Sequence, residues 1–89
     1  MEEIKTFLNS DLQVTTWPAK HQKKQLVIEY LASKFEEGKT YTEAEVNEIL
    51  TQFHTFNDHA LLRRELYERK ILDRDINGSR YWKVSKIEQ

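Results

Sequence analysis

The chain has 89 residues, no cysteine, and 14 Lys and Arg against 15 Asp and Glu, for a formal net charge of −1. That length fits a single domain held by packing, because neither a disulfide nor a thiolate metal site can support it. The charge balance counts against strong non-specific binding to nucleic acid over the whole surface, though not against a local basic face.

Residues 1–16 read as an N-terminal appendage. Ile4, Phe7 and Leu8 have helical spacing and predict a short amphipathic helix ending at Asn9-Ser10-Asp11. Leu12, Val14 and Thr16 then alternate with polar residues, as a short strand or extended arm does. Trp17-Pro18 closes the arm, since proline disfavours helix at the residue before it and suits the first turn of a helix after it.

From Ala19 to Phe35 the pattern is helical, with Val27, Tyr30, Leu31 and Phe35 as the apolar stripe and Leu26 and Ile28 widening it. Lys20, Lys23, Lys24 and Lys34 surround that stripe and predict a basic outer surface. Gly38 is expected to end the helix in a left-handed conformation. Lys39-Thr40-Tyr41 is long enough only for a small strand.

Thr42-Glu43-Ala44-Glu45 is a capping-box pattern, and the helix it starts carries Val46, Ile49, Leu50 and Phe53 on one face. Glu43, Glu45 and Glu48 predict an acidic outer face. The stretch from His54 to Asp58 reads as a turn, with Asn57 or Asp58 capping a third helix to about Arg69. Leu62 and Leu66 point inward on that helix, and Leu61 is expected to join them. Ile71 to Arg74 and Arg80 to Val84 read as strands joined through Ile76-Asn77-Gly78-Ser79, because Asn and Gly both tolerate positive φ. Trp82 and Val84 share a strand face and are expected to close the core beside Leu72.

These elements predict an α+β, mainly helical fold: a winged helix–turn–helix over residues 17–85 with a C-terminal β-hairpin wing. A short N-terminal helix and arm precede it, and residues 86–89 form a tail. The stretches WPAKHQKKQLVIEYLASKF (17–35), YTEAEVNEIL (41–50), LRREL (62–66) and ILDRDINGSRYW (71–82) are together specific. Through them the chain, from Phe7 to Lys83, resembles the bacterial domain of unknown function 2087 family. The resemblance implies a small transcription-associated protein, found alone or as the C-terminal part of transcriptional regulators, with no assigned biochemical activity. Related sequences often carry glycine where this chain has Lys70, and a lysine in a left-handed helix cap costs about 1 kcal/mol relative to glycine.

The main functional signal is the segment from Asp58 to Lys83, where positive residues outnumber negative ones by two. On a helix His59, Arg63 and Tyr67 share a face with Arg64 beside them. If that face is open, arginines there can read guanine edges or phosphates in the major groove of double-stranded DNA. Arg74, Asn77, Arg80 and Lys83 on the wing would then hold the backbone or minor groove. The bland alternative is that Arg64 with Glu68, and Glu65 with Arg69, are i, i+4 pairs on a solvated surface. Lys20, His21, Gln22, Lys23 and Lys24 form a second patch, more often an ordinary solvated face than a phosphate or partner contact. Trp17 reads as a packing residue.

His21, His54 and His59 fit no common zinc spacing, so no metal or cofactor is expected; His54 is expected to satisfy a helix end through its ring. No nucleophile stands beside a base, no glycine-rich phosphate loop occurs and no paired carboxylates lie at an obvious cleft, so neither an enzyme nor a small-molecule substrate is expected. No apolar run approaches the roughly 20 residues that span a bilayer, and MEEIKTFLNS lacks the pattern of a signal peptide, so the expected location is the cytoplasm. A second reading, in which a winged helix serves protein–protein interaction or homodimerisation through Ile4, Phe7 and Leu8, stands beside the DNA reading.

Overall fold

The computed structural model describes residues 2–84. A 3-10 helix, Glu2–Phe7, opens the chain, and its Ile4 and Phe7, with Leu8 just beyond, pack on the core as their spacing predicts. Six residues are too few to nucleate a stable α-helix, and the tighter turn serves instead. The arm that follows departs from the expected alternation. Asn9 folds it back: its side-chain oxygen accepts from the amides of Asp11 and Gln13, and Leu12 N–H donates to the Asn9 carbonyl. Leu12 consequently has φ of 63° and is 55% exposed. Val14 is buried and bridges Leu8 on one side and His54 on the other, whereas Thr16 is exposed. Local side-chain-to-backbone bonding outweighs the strand pattern here.

Three α-helices follow: α1, His21–Ala32; α2, Glu43–Gln52; and α3, His59–Glu68. Helix α1 is shorter than its sequence pattern. After Ala32 the chain winds off through single-turn bonds, Lys34 N–H to Leu31 and Phe35 N–H to Ala32, which still deliver Phe35 to the core. Gly38 does take a left-handed φ of 83°, but in the loop beyond rather than at the helix end. Helix α2 starts with the expected capping box: Thr42 accepts from the Glu45 amide while the Glu45 carboxylate accepts from the Thr42 amide. Asp58 caps α3 by accepting from the Leu61 amide, and Asn57 before it has φ of 56°.

The strands β1 (Thr40–Thr42), β2 (Leu72–Arg74) and β3 (Arg80–Lys83) form one antiparallel sheet in the order β1-β3-β2. The register sets Tyr81 opposite Tyr41 on one side and Arg74 on the other. Directly opposed residues share a sheet face, so Tyr41, Tyr81, Leu72, Lys83 and Arg74 face the helices, while Thr40, Trp82, Asp73, Thr42 and Arg80 lie outward. This corrects the expected inward pairing of Trp82 and Val84. Tyr81 is buried and Trp82 only half-buried, because a one-residue change of phase exchanges the two faces of a strand.

The hairpin turn also differs from the one the Asn-Gly pair suggests. Gly78 has φ of 74° but Asn77 does not have positive φ; the closing bond runs from Asp75 N–H to the Arg80 carbonyl, and inside that loop Gly78 N–H donates to the Asp75 carbonyl. The Asp75 carboxylate holds this longer turn together by accepting from the amides of Ser79 and Arg80 and from the Ser79 hydroxyl.

The core unites Val27, Ile28 and Leu31 of α1, Val46 and Leu50 of α2, and Leu62 and Leu66 of α3 with Val14, Phe35, Tyr41, Leu72 and Tyr81. Between α3 and β2, Lys70 has φ of 65°, with its N–H donating to Tyr67 and the Ile71 N–H to Leu66. This is the double bond pattern that closes a helix through a left-handed residue, where glycine is favoured. Lys70→Gly is therefore expected to stabilise the fold by about 1 kcal/mol, seen as a higher urea midpoint at unchanged slope. An unchanged or lower midpoint would remove the strain argument.

Candidate functional site

Between α3 and the β2–β3 hairpin runs an open groove of about 380 Å³, lined by Glu43, Arg63, Arg64, Tyr67, Glu68, Arg74 and Tyr81 with Ala60. The α-helical repeat puts residues 60, 63, 64 and 67 on one side of α3, and the strand register brings Arg74 and Tyr81 up to meet them. Of the residues singled out from the sequence, the fold assembles Arg63, Arg64, Tyr67 and Arg74 here.

Their states differ. Arg63 is tied down, its guanidinium donating to the Asn47 side chain and lying 3.7 Å from the Glu43 carboxylate, so it joins α3 to α2. Arg64 is exposed and, among the described residues, has no hydrogen-bond or ion-pair partner. The i, i+4 pairing expected as an alternative thus holds for Arg69, whose Nε donates to Glu65 at 2.8 Å, and not for Arg64 with Glu68. Arg69 also donates to the Gln25 side chain on α1 at 2.6 Å.

Among the described residues, no carboxylate pairs with Arg74. Its guanidinium carbon lies 4.6 Å from the centroid of the Tyr67 ring, a cation–π arrangement. The side chains of Tyr67 and then Tyr81 favour its charged form and raise its pKa above the ordinary arginine value. The sequence reading missed Tyr81. The signal that locates it is the phase of β3, which the hairpin sequence alone leaves open.

The other residues lie elsewhere. His59 stands half-buried at the start of α3, outside the groove lining. Asn77 is exposed at the hairpin tip, where its side chain accepts from the Ser79 amide. Arg80 projects from the outer sheet face, opposite Thr42. Lys83 is drawn the other way, its ammonium donating to the Phe35 carbonyl beyond α1.

In the hairpin, desolvation pushes the Asp75 carboxyl upward, but the bonds from the Ser79 hydroxyl and the amides of Arg80, Ser79 and Gly78 together outweigh it and leave its pKa below the ordinary 3.8. A carboxyl lowered in the folded state contributes stability above its unfolded value, and that contribution is lost as pH falls through the folded value. The hairpin should therefore be unaffected from pH 7 to 5 and loosen only below about pH 4. The Ser79 and Arg80 amide resonances are expected to move together in that acid range; movement near neutral pH would contradict the assignment.

Away from the groove, Lys24 sits 5.7 Å over the Trp17 ring, and Lys34 lies 4.6 Å and 4.7 Å from the rings of Tyr30 and Phe53. These ammonium groups cover aromatic surface as well as presenting charge. His54 meets the expectation for it: one ring nitrogen bonds the Leu50 carbonyl at the end of α2, and the other accepts from the Asp58 amide at the start of α3. Among the described residues, no helix is long and apolar enough to cross a membrane.

Residues 13–83 match the model of a family described as an uncharacterized protein conserved in bacteria, DUF2087. No curated protein and no solved structure matches the chain.

Proposed function

The chain belongs to that bacterial family, and from the arrangement of α3 and the hairpin we propose that it is a winged-helix module that binds double-stranded DNA in transcriptional regulation. The supporting observation is the groove in which Arg64 and Arg74 stand together, one without a partner and the other without a carboxylate among the described residues. Helix α3 enters the major groove, and the hairpin is the wing that follows the backbone. Arg64 and Tyr67 face the DNA, while Arg63 keeps α3 at its angle to α2. Arg80 and Asn77 extend the contact along the wing. A cytoplasmic location goes with this role.

The overall charge of −1 makes a limited contact the natural expectation. With three phosphate contacts, affinity for a random duplex should fall about forty-fold between roughly 50 and 200 mM salt. Fluorescence anisotropy of a labelled duplex measures this. The Arg64→Ala/Arg74→Ala protein is expected to lose most of the binding at the lower salt. Equal binding by that double variant would exclude this face, and no binding by the parent at low salt would exclude the function. The competing reading, association through Ile4, Phe7 and Leu8, gains nothing from the fold, since those side chains already pack on their own domain.

A further inference from the structure

Two tyrosines and three guanidinium groups in one groove, with Arg63 alone of the three tied to α2, point to more than a diffuse basic surface. Arg74 is exposed but stacked on one side against the Tyr67 ring, whose centroid lies 4.6 Å from the guanidinium carbon. An arginine held this way loses little side-chain entropy when a ligand arrives, and its planar fork suits two oxygens of one oxyanion. Arg64 lines the same groove. Glu43 is engaged with Arg63, so Glu68 is the acidic group left to offset the two positive charges.

We propose that this groove is a phosphate clamp, in which the guanidinium groups of Arg64 and Arg74 and the Tyr67 hydroxyl close on a single phosphate oxyanion. Its volume of about 380 Å³ leaves room for the sugar attached to that phosphate. The clamp rests on the DNA-binding reading for the source of its ligand, a phosphodiester of the duplex backbone. A free phosphorylated molecule carries the same chemistry and is the alternative source. Because the contact is to phosphate, it fixes the position of α3 and carries no sequence information of its own. Glu68 weakens it, and removing that charge strengthens it.

The test uses the full chain, two short duplexes of unrelated sequence, and inorganic pyrophosphate as the small probe. Arg74→Lys keeps the charge but removes the fork, and should weaken both duplexes by about tenfold and to the same degree. Glu68→Gln should tighten both. Arginine Nε–Hε resonances, followed by NMR, should shift for Arg64 and Arg74 with either probe and stay in place for Arg69. The exposed positions of Arg74 and Glu68 let circular dichroism confirm that the variants fold.

If duplex DNA binds but Arg74→Lys matches the parent, or weakens one sequence only, the clamp is wrong and DNA binding stands. If neither duplex binds but pyrophosphate shifts Arg64 and Arg74, the clamp stands and its ligand is a free phosphorylated molecule. If neither probe does anything, both readings fall.

Discussion

Tyr81→Ala is expected to destabilise the protein by roughly 3–5 kcal/mol, the range for truncating a large buried aromatic, whereas Trp82→Ala should cost less than half as much. Tyr81 is 2% exposed on the central strand, between Tyr41 of β1 and Arg74 of β2. Its loss opens a cavity under the sheet and removes one wall of the groove. Trp82 lies on the opposite face between Thr40 and Asp73 and remains half-buried. For a domain of this size the Tyr81 change consumes much of the total stability, which is commonly about 5–15 kcal/mol. Urea unfolding of the two variants gives the comparison directly. A larger loss for Trp82→Ala would mean that β3 is paired one residue out of register.

His54→Ala should cost about 2–4 kcal/mol, through two lost hydrogen bonds and lost packing in a nearly buried position. The ring links the end of α2 to the start of α3: Nδ1 lies 2.6 Å from the Leu50 carbonyl, and Nε2 accepts from the Asp58 amide at 2.9 Å. That pattern fixes a neutral ring with its proton on Nδ1. His54 also packs edge-on against Phe56, at 4.7 Å between centroids, and its backbone bridges Val14 of the arm. Three segments meet at this one residue, so removing it also loosens the angle between α2 and α3. His54→Phe restores the ring but not the bonds and should recover only part of the loss. A His54→Phe protein as stable as its parent would show that packing alone sets this corner.

His54 also illustrates what a sequence can reveal about a site. Its position between two helices made a helix-end role legible, because orphan carbonyls and amides are found wherever helices stop. Arg64, Tyr67 and Arg74 were legible in the same way, from helical spacing and proximity to a hairpin. The role of Arg63 was not. Its partners, Asn47 and Glu43, lie on α2, and no local pattern shows that an arginine is already taken. Arg80 and Lys83 looked equivalent to Arg74 as wing cations, yet strand pairing sends Arg80 outward and Lys83 towards the Phe35 carbonyl.

What the sequence determined by itself was the order of the helices and of the hairpin strands and the capped starts of α2 and α3, but not the end of α1 or the course of the arm. Helical periodicity located three helices, Thr42 with Glu45 marked the start of α2, and Asn57-Asp58 marked the start of α3. These features depend on interactions within a few residues, so local sequence is sufficient to specify them. Only the tertiary structure decided which face of β3 is inside, how β1 joins it, and which arginines remain available. Those outcomes depend on pairing between residues far apart in the chain. A strand of four residues carries too few side chains to fix its own phase, and the free energy that selects it comes from burying Tyr41, Leu72 and Tyr81 together against the helices.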